Sequence, residues 1–146
     1  MAKLPYSWNK VSPGDIISFV YENRDGRKLR RTILVLDPKL RNKAKNPVSQ
    51  YLVHGIQLEV SNQPTLTQMK TLLEQAGVTE IVDENKKIYR VRLQSDARGT
   101  YKKMKNIINK YGIYRSYSYD KARKSSVTLE DLRLPTQFVE KLKNEN

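Results

Sequence analysis

The sequence predicts an α+β fold: a small β-barrel or strongly bent antiparallel sheet with two main helices and a short C-terminal helix. Three observations point there. Two runs rich in β-branched and aromatic residues, 15–21 and 30–37, flank Asn23-Arg24-Asp25-Gly26, where Asp-Gly supplies the positive-φ residue that a tight hairpin needs. Both faces of these runs are nearly apolar, as expected of strands inside a small barrel or sandwich. Apolar residues then recur at helical spacing over 65–76 and 101–111, separated by short alternating segments.

The elements follow in order. Trp8, the only tryptophan, precedes the hairpin and is expected to cap its apolar side. Pro13-Gly14 turns the chain into the first strand, where Ile17, Phe19 and Tyr21 share one face and Ile16, Ser18 and Val20 the other. In the second strand Thr32, Leu34 and Leu36 oppose Ile33 and Val35, and Pro38, with no N–H to donate, is expected to close it. Residues 39–48 read as a basic loop. A third strand is expected over 51–60, with Gly55 marking a bulge or a close backbone approach. His54, the lone histidine, reads as a hydrogen-bonded structural residue.

Thr65-Leu66-Thr67-Gln68 has the form of a capping box, and Gly77 the form of a helix terminator. Short strands are expected over 78–82 and 87–93, the second setting Arg90 and Arg92 on one face, and residues 95–100 read as a turn. The second helix, 101–111, turns Tyr101, Met104, Ile107, Ile108 and Tyr111 inward and ends at Gly112. An extended run, 113–120, sets Arg115, Tyr117 and Tyr119 on one side. The tail carries a short helix over 137–142 and reads as surface-docked or frayed. The whole is expected to be one domain, with a β-rich core at about 11–62, a helical and Tyr-rich part at about 63–126 and the tail at 127–146.

Charge is the strongest global fact. The net charge is +13, and it is not spread evenly. Residues 24–45 hold nine Lys or Arg against two Asp, residues 101–126 hold eight against one Asp, and residues 46–100 balance to zero. Two basic surfaces, or one assembled from both blocks, are therefore expected. Neither a disulfide framework nor a thiolate metal site can form without cysteine, and no apolar run approaches the ~20 residues of a membrane span. The N-terminus has no signal-peptide pattern, so a cytoplasmic protein is expected, in a host cell or a virion if viral.

One histidine and no cysteine leave no Cys-His pair and no two-histidine metal centre, and no Gly-rich phosphate loop occurs. The sequence thus favours binding over catalysis and implies no cofactor. Five of the nine tyrosines lie between residues 101 and 119, interleaved with cations, a mixture that suits nucleic acid. The same tyrosines could simply complete a sheet. The expected phosphate contacts are Arg27, Lys28, Arg30, Lys39, Arg41, Lys43 and Lys45 in one block, with Lys102, Lys103, Lys105, Arg115, Lys121, Arg123 and Lys124, joined by Tyr117, in the other.

A resemblance sharpens the fold. Pro13-Gly14-Asp15-Ile16-Ile17, a turn, then Arg31-Thr32-Ile33-Leu34-Val35-Leu36-Asp37 resembles the opening of the MazF/PemK family of SH3-like barrels. That resemblance covers the N-terminal hairpin and implies metal-independent cleavage of single-stranded RNA, with Arg31 as the active arginine and Ser61 as its loosely matched hydroxyl partner. The family's proline after the arginine is Thr32 here. The pattern Leu34-Val35-Leu36, basic loop, Tyr51-Leu52-Val53-His54-Gly55-Ile56, then Tyr114-Arg115-Ser116-Tyr117 is also similar to small proteins of tailed bacteriophages. Three functions are therefore carried forward: a phage-encoded nucleic-acid-binding accessory protein, a virion or host-interaction protein meeting an acidic protein surface, and a MazF-like endoribonuclease. The oligomeric state is left open.

Overall fold

The computed structural model describes residues 4–45, 50–60, 63–64, 67–68, 71, 79–83, 88–91, 98–134 and 136–144. The fold is α+β and is organised by the β2–β3 hairpin. Strand β1 spans Leu4–Tyr6, β2 Asp15–Glu22, β3 Lys28–Arg41 and β4 Tyr51–Gln57. The short β5 and β6, Glu59–Val60 and Gln63–Pro64, pair with each other, followed by β7, Thr79–Asp83, and β8, Ile88–Val91. Helix α1, Arg98–Tyr111, leads to β9, Ile113–Ser118, and a one-turn α2, Tyr119–Ala122. Strand β10, Val127–Arg133, and helix α3, Thr136–Asn144, complete the order.

The main sheet runs β10-β2-β3-β4-β9 with every neighbour antiparallel, and β1 adds to β10 on its other side. The β7–β8 hairpin joins through a single parallel pair, Leu132 with Val91. Among the described residues no pairing links β9 back to β1 or β10, so the sheet stays open rather than closing into a barrel.

The hairpin forms as its chemistry dictates. Gly26 takes φ +83°, the Gly26 N–H donates to the Asn23 carbonyl at 3.0 Å, and the Asp25 carboxylate accepts from the Arg27 N–H at 3.0 Å. At the entry turn the buried Asp15 carboxylate accepts from the Ser12 N–H at 2.9 Å. That bond gives the Pro-Gly-Asp sequence a structural role.

Pro38 does not end the second strand; β3 continues to Arg41. The pairing of β3 with β4 shifts register between Val35 and Asp37, and again between Asp37 and Leu40. Pro38 lies inside the second irregularity, where no regular ladder bond is asked of it. The first shift turns two consecutive side chains, Leu36 and Asp37, toward the same helical side: Leu36 joins the core there and Asp37 accepts from Lys143 of α3 at 2.9 Å. Gly55 lies opposite this bulge, and a Cβ on it would stand 2.6 Å from the Leu34 carbonyl oxygen. Both readings of that glycine hold.

Each face of the sheet carries its own core. On one, Ile16, Leu34, Leu36 and Ile56 pack against Met104 and Ile108 of α1 and Val139 and Leu142 of α3. On the other, Ile17, Phe19, Ile33, Val35 and Val53 pack against Tyr117, Tyr119, Ala122, Val127 and Leu129, with Trp8 against the edge. Trp8 thus caps the hairpin as expected, its ring 5.2 Å from Phe19. His54 is hydrogen-bonded as expected, its Nδ1 3.0 Å from Ser116 Oγ.

The tail departs from expectation. Residues 127–133 are a strand beside β2, and Leu134, Val139 and Leu142 are fully buried, so α3 is part of the core rather than frayed. Helix α1 begins at Arg98, inside the stretch read as a turn. Residues 67, 68 and 71 are helical; the rest of the expected 65–76 helix, its Gly77 terminator, Arg92, Ser61 and the side chains of Tyr101 and Tyr111 lie outside the described residues.

Candidate nucleic-acid interface

The site is built where β9 turns into α2. Strand β9 lies along β4, and Ser118 ends it by capping α2, its Oγ accepting from the Lys121 N–H at 3.4 Å. The Ser118 N–H itself donates to the Tyr21 hydroxyl at 3.0 Å, which draws α2 toward the end of β2. The chain is then stapled onto β2: the Val20 N–H donates to Ser125 Oγ at 3.1 Å and Trp8 Nε1 donates to the Ser125 carbonyl at 2.9 Å. Tyr119 and Ala122 point into the core, which leaves Lys121, Arg123 and Lys124 outward on one turn of helix and its exit.

Beneath them lies an aromatic chain. Phe19 meets Trp8, Tyr21 and Tyr117 edge-on, and Tyr21 meets Tyr117 at 5.0 Å. Cations rim these rings. Lys39 Nζ stands 4.6 Å from the Tyr51 ring centroid and 5.2 Å from that of Tyr119, while the Arg123 guanidinium stands 5.2 Å from the same Tyr119 ring. Lys121 Nζ is 5.9 Å from Tyr21. The two basic blocks of the sequence therefore meet at one tyrosine.

Arg31 lies deeper in the same seam. Its Nη2 donates to Asn23 Oδ1 at 3.2 Å, while its Nε and the Tyr117 hydroxyl are buried without a hydrogen-bond partner. Burial pushes the Tyr117 phenol above its ordinary pKa, and the positive charges of Arg31 and Arg115 pull it back.

The remaining expected contacts divide. Arg27 is exposed at the hairpin tip beside Asp25, and Lys28 pairs across the strands with Glu22. Arg30 turns toward Thr128 Oγ1 at 3.4 Å, away from the seam. Arg41, Lys43 and Lys45 follow the far end of β3, with Arg41 opposite Tyr51. Lys102, Lys103 and Lys105 ride on α1, whose Met104 and Ile108 pack on the opposite face of the sheet. The second basic block is thus split by the sheet, and only Arg115, Lys121, Arg123 and Lys124 share the aromatic side.

Tyr117 does not offer its ring to a ligand. It is 4 % exposed and packs edge-on against Phe19 and Tyr21, while Tyr119, 7 % exposed, is the buried ring beside which Lys39 and Arg123 stand. Sequence reasoning missed Tyr21 and Tyr51 as ring partners; their roles follow from bulged register and cross-face contacts, which no local pattern encodes.

Among the described residues no three His, Cys, Asp or Glu gather as a metal site, and no helix is long and apolar enough to cross a membrane. No family model, curated protein or solved structure matches the chain.

Proposed function

We propose that this chain is a nucleic-acid-binding accessory protein, encoded by a phage, that holds the phosphate backbone along the seam between β3 and α2. The observation that carries the reading is the convergence of Lys39 and Arg123 on Tyr119, which sets a cation from each block in one row, with Lys121 over the Tyr21 ring on the same face. Rings under flexible cations restrict where the charges stand without neutralising them, and phosphate is the ligand such a row suits. We also propose that the sheet is an SH3-like barrel left open. The return of β10 to pair with β2 after the one-turn α2 supports that topology.

The test is binding of labelled single-stranded DNA, duplex DNA and RNA across a salt series, comparing wild type with K39E/R123E and with K102E/K103E on α1. The expected result is binding that survives near about 150 mM salt and falls at least tenfold in the seam variant but not in the α1 variant. Equal losses in both variants would reduce the charge to a generic attraction. Absence of binding to every probe would move the reading to an acidic protein partner.

A second reading, the MazF-like endoribonuclease, draws support from Arg31, which is half-buried in the seam with its Nε unpaired beside the Tyr117 hydroxyl. Metal-free cleavage of single-stranded RNA that disappears in R31A, with melting unchanged, is its expected signature. Uncut RNA at high protein concentration removes it.

A further inference from the structure

The two most buried tyrosines of the seam cannot accept a base, so a phosphate row alone would treat single strands and duplexes alike. One neighbouring feature breaks that indifference. Where β3 hands over to β4, Arg41, Asn42, Ala44, Gln50 and Tyr51 line an open groove of about 350 Å³. That volume lies at the small end of ligand-site sizes, the scale of one nucleotide rather than a folded segment.

Two hydrogen bonds order residues that line the groove. The Asn42 N–H donates to the Gln50 carbonyl at 2.8 Å, closing the neck of the hairpin, and Asn42 Oδ1 accepts from the Ala44 N–H at 3.0 Å. Tyr51 is 36 % exposed, in contrast to Tyr117 and Tyr119, and it lines the groove. Arg41, which pairs across the strands with Tyr51, and Gln50 are the other polar side chains of the lining beside Asn42. Tyr51 ties the groove to the seam, because Lys39 stands within reach of both the Tyr51 and the Tyr119 rings.

We propose that this groove is a nucleobase subsite that seats one unstacked base of a single strand on Tyr51, while Lys39 and Arg123 hold the adjoining phosphates. The inference rests on the nucleic-acid reading above and narrows its ligand to single-stranded DNA or RNA. A base inside a duplex is stacked on both faces and presents no ring to Tyr51, so the duplex gains only the phosphate contacts. The groove is too small for sequence to be read over several bases, so discrimination is between a base and no base.

The experiment compares a single strand about 12 nucleotides long, a strand of the same length made of abasic sites, and a duplex of that length, each as DNA and RNA where the chemistry permits. They are titrated against wild type, Y51F and Y51A, with melting curves for each variant. Wild type is expected to bind the intact strand at least fivefold more tightly than the abasic strand. Y51F keeps that ratio, and Y51A brings it to unity, any loss of phosphate contact through Lys39 being shared by the intact and abasic strands. Equal affinity of wild type for intact and abasic strands overturns the subsite while leaving the phosphate row standing. A ratio that survives in Y51A overturns Tyr51 as its seat. Binding of no probe overturns both proposals together.

Discussion

The two faces of the central sheet come from the same alternating strands and carry different chemistry. On the helical face the contacts across β2, β3 and β4 are aliphatic, with Ile16, Leu34, Leu36 and Ile56 under Met104, Ile108, Val139 and Leu142. On the opposite face the same strands meet Phe19, Tyr117 and Tyr119, with Trp8 and Tyr21 at the margin and cations at the rim. On the aliphatic face the buried hydroxyls of Ser18 and Thr32 are matched to each other, Oγ to Oγ1 at 2.8 Å. The aromatic face keeps two buried polar atoms unpaired, Arg31 Nε and the Tyr117 hydroxyl. Both faces carry a buried core, and under the proposed function the phosphate contacts lie along the edge of the second.

Truncating the helical face tests that division most severely. L34A removes a fully buried side chain between β2 and β4 and is expected to cost about 2–5 kcal/mol in denaturant unfolding. Nucleic-acid affinity of the fraction still folded is expected to stay unchanged. Next in size is G55A, whose new Cβ would press on the Leu34 carbonyl oxygen at 2.6 Å and on Ile33 Cδ1 at 3.1 Å. Prying β3 from β4 is expected to cost roughly 1–3 kcal/mol, and because Lys39 and Tyr51 sit on those two strands, binding should weaken with it.

On the rim the order of effects reverses. R115Q, R123Q and K121Q should each leave the melting curve within about 0.5 kcal/mol of wild type. Each should flatten the dependence of log affinity on log salt by about 0.7–0.9 per phosphate contact removed. A variant that changes stability and leaves the salt slope intact would erase the contrast between the faces.

The smallest effects lie at the buried phenol and the α3 ion pair. Y117F deletes an unpaired buried hydroxyl and keeps the ring contacts, so it is expected to be neutral or slightly stabilising. Tyr117 is raised by burial and Lys143 by its hydrogen bond to Asp37, so in both the folded state holds its proton more tightly than the unfolded chain. Their contributions are therefore complete below pH about 10 and are lost as pH rises through the folded values, which denaturant melts between neutral and strongly alkaline pH would follow. K143Q should remove the Lys143 part of that alkaline decline alone.

The hairpin was legible in the sequence because its information is local: Asp25-Gly26 defines the reversal, and alternation assigns Ile17 and Phe19 to one face and Ile16 to the other. Helix α1 was legible from Met104 and Ile108 for the same reason. The extension of β3 through Pro38 was not, because a bulge excuses a proline and a bulge is defined by its partner strand. Nor was the split of the second basic block legible, since Lys102 and Lys121 are near in sequence but their helices pack on opposite faces. The seam depends on Lys39 meeting Tyr119, eighty residues on in the chain, and no periodicity carries that information.

The position of β10 has a consequence for how the molecule comes into being. Ile17 pairs with Leu129 and Ser18 with Thr128, so one edge of the organising hairpin waits for residues more than a hundred positions downstream. Contacts of such sequence separation are paid for in loop entropy before they return any energy, which places folding in the slow, millisecond-to-second range of β-rich domains. During synthesis the β2–β3 hairpin leaves the ribosome before β10, and the edge of β2 that β10 covers stays unpaired until β10 follows. Loss of residues 127–144 would therefore remove a sheet strand and part of the helical core rather than trim an end, and the shortened chain would expose that edge to its neighbours.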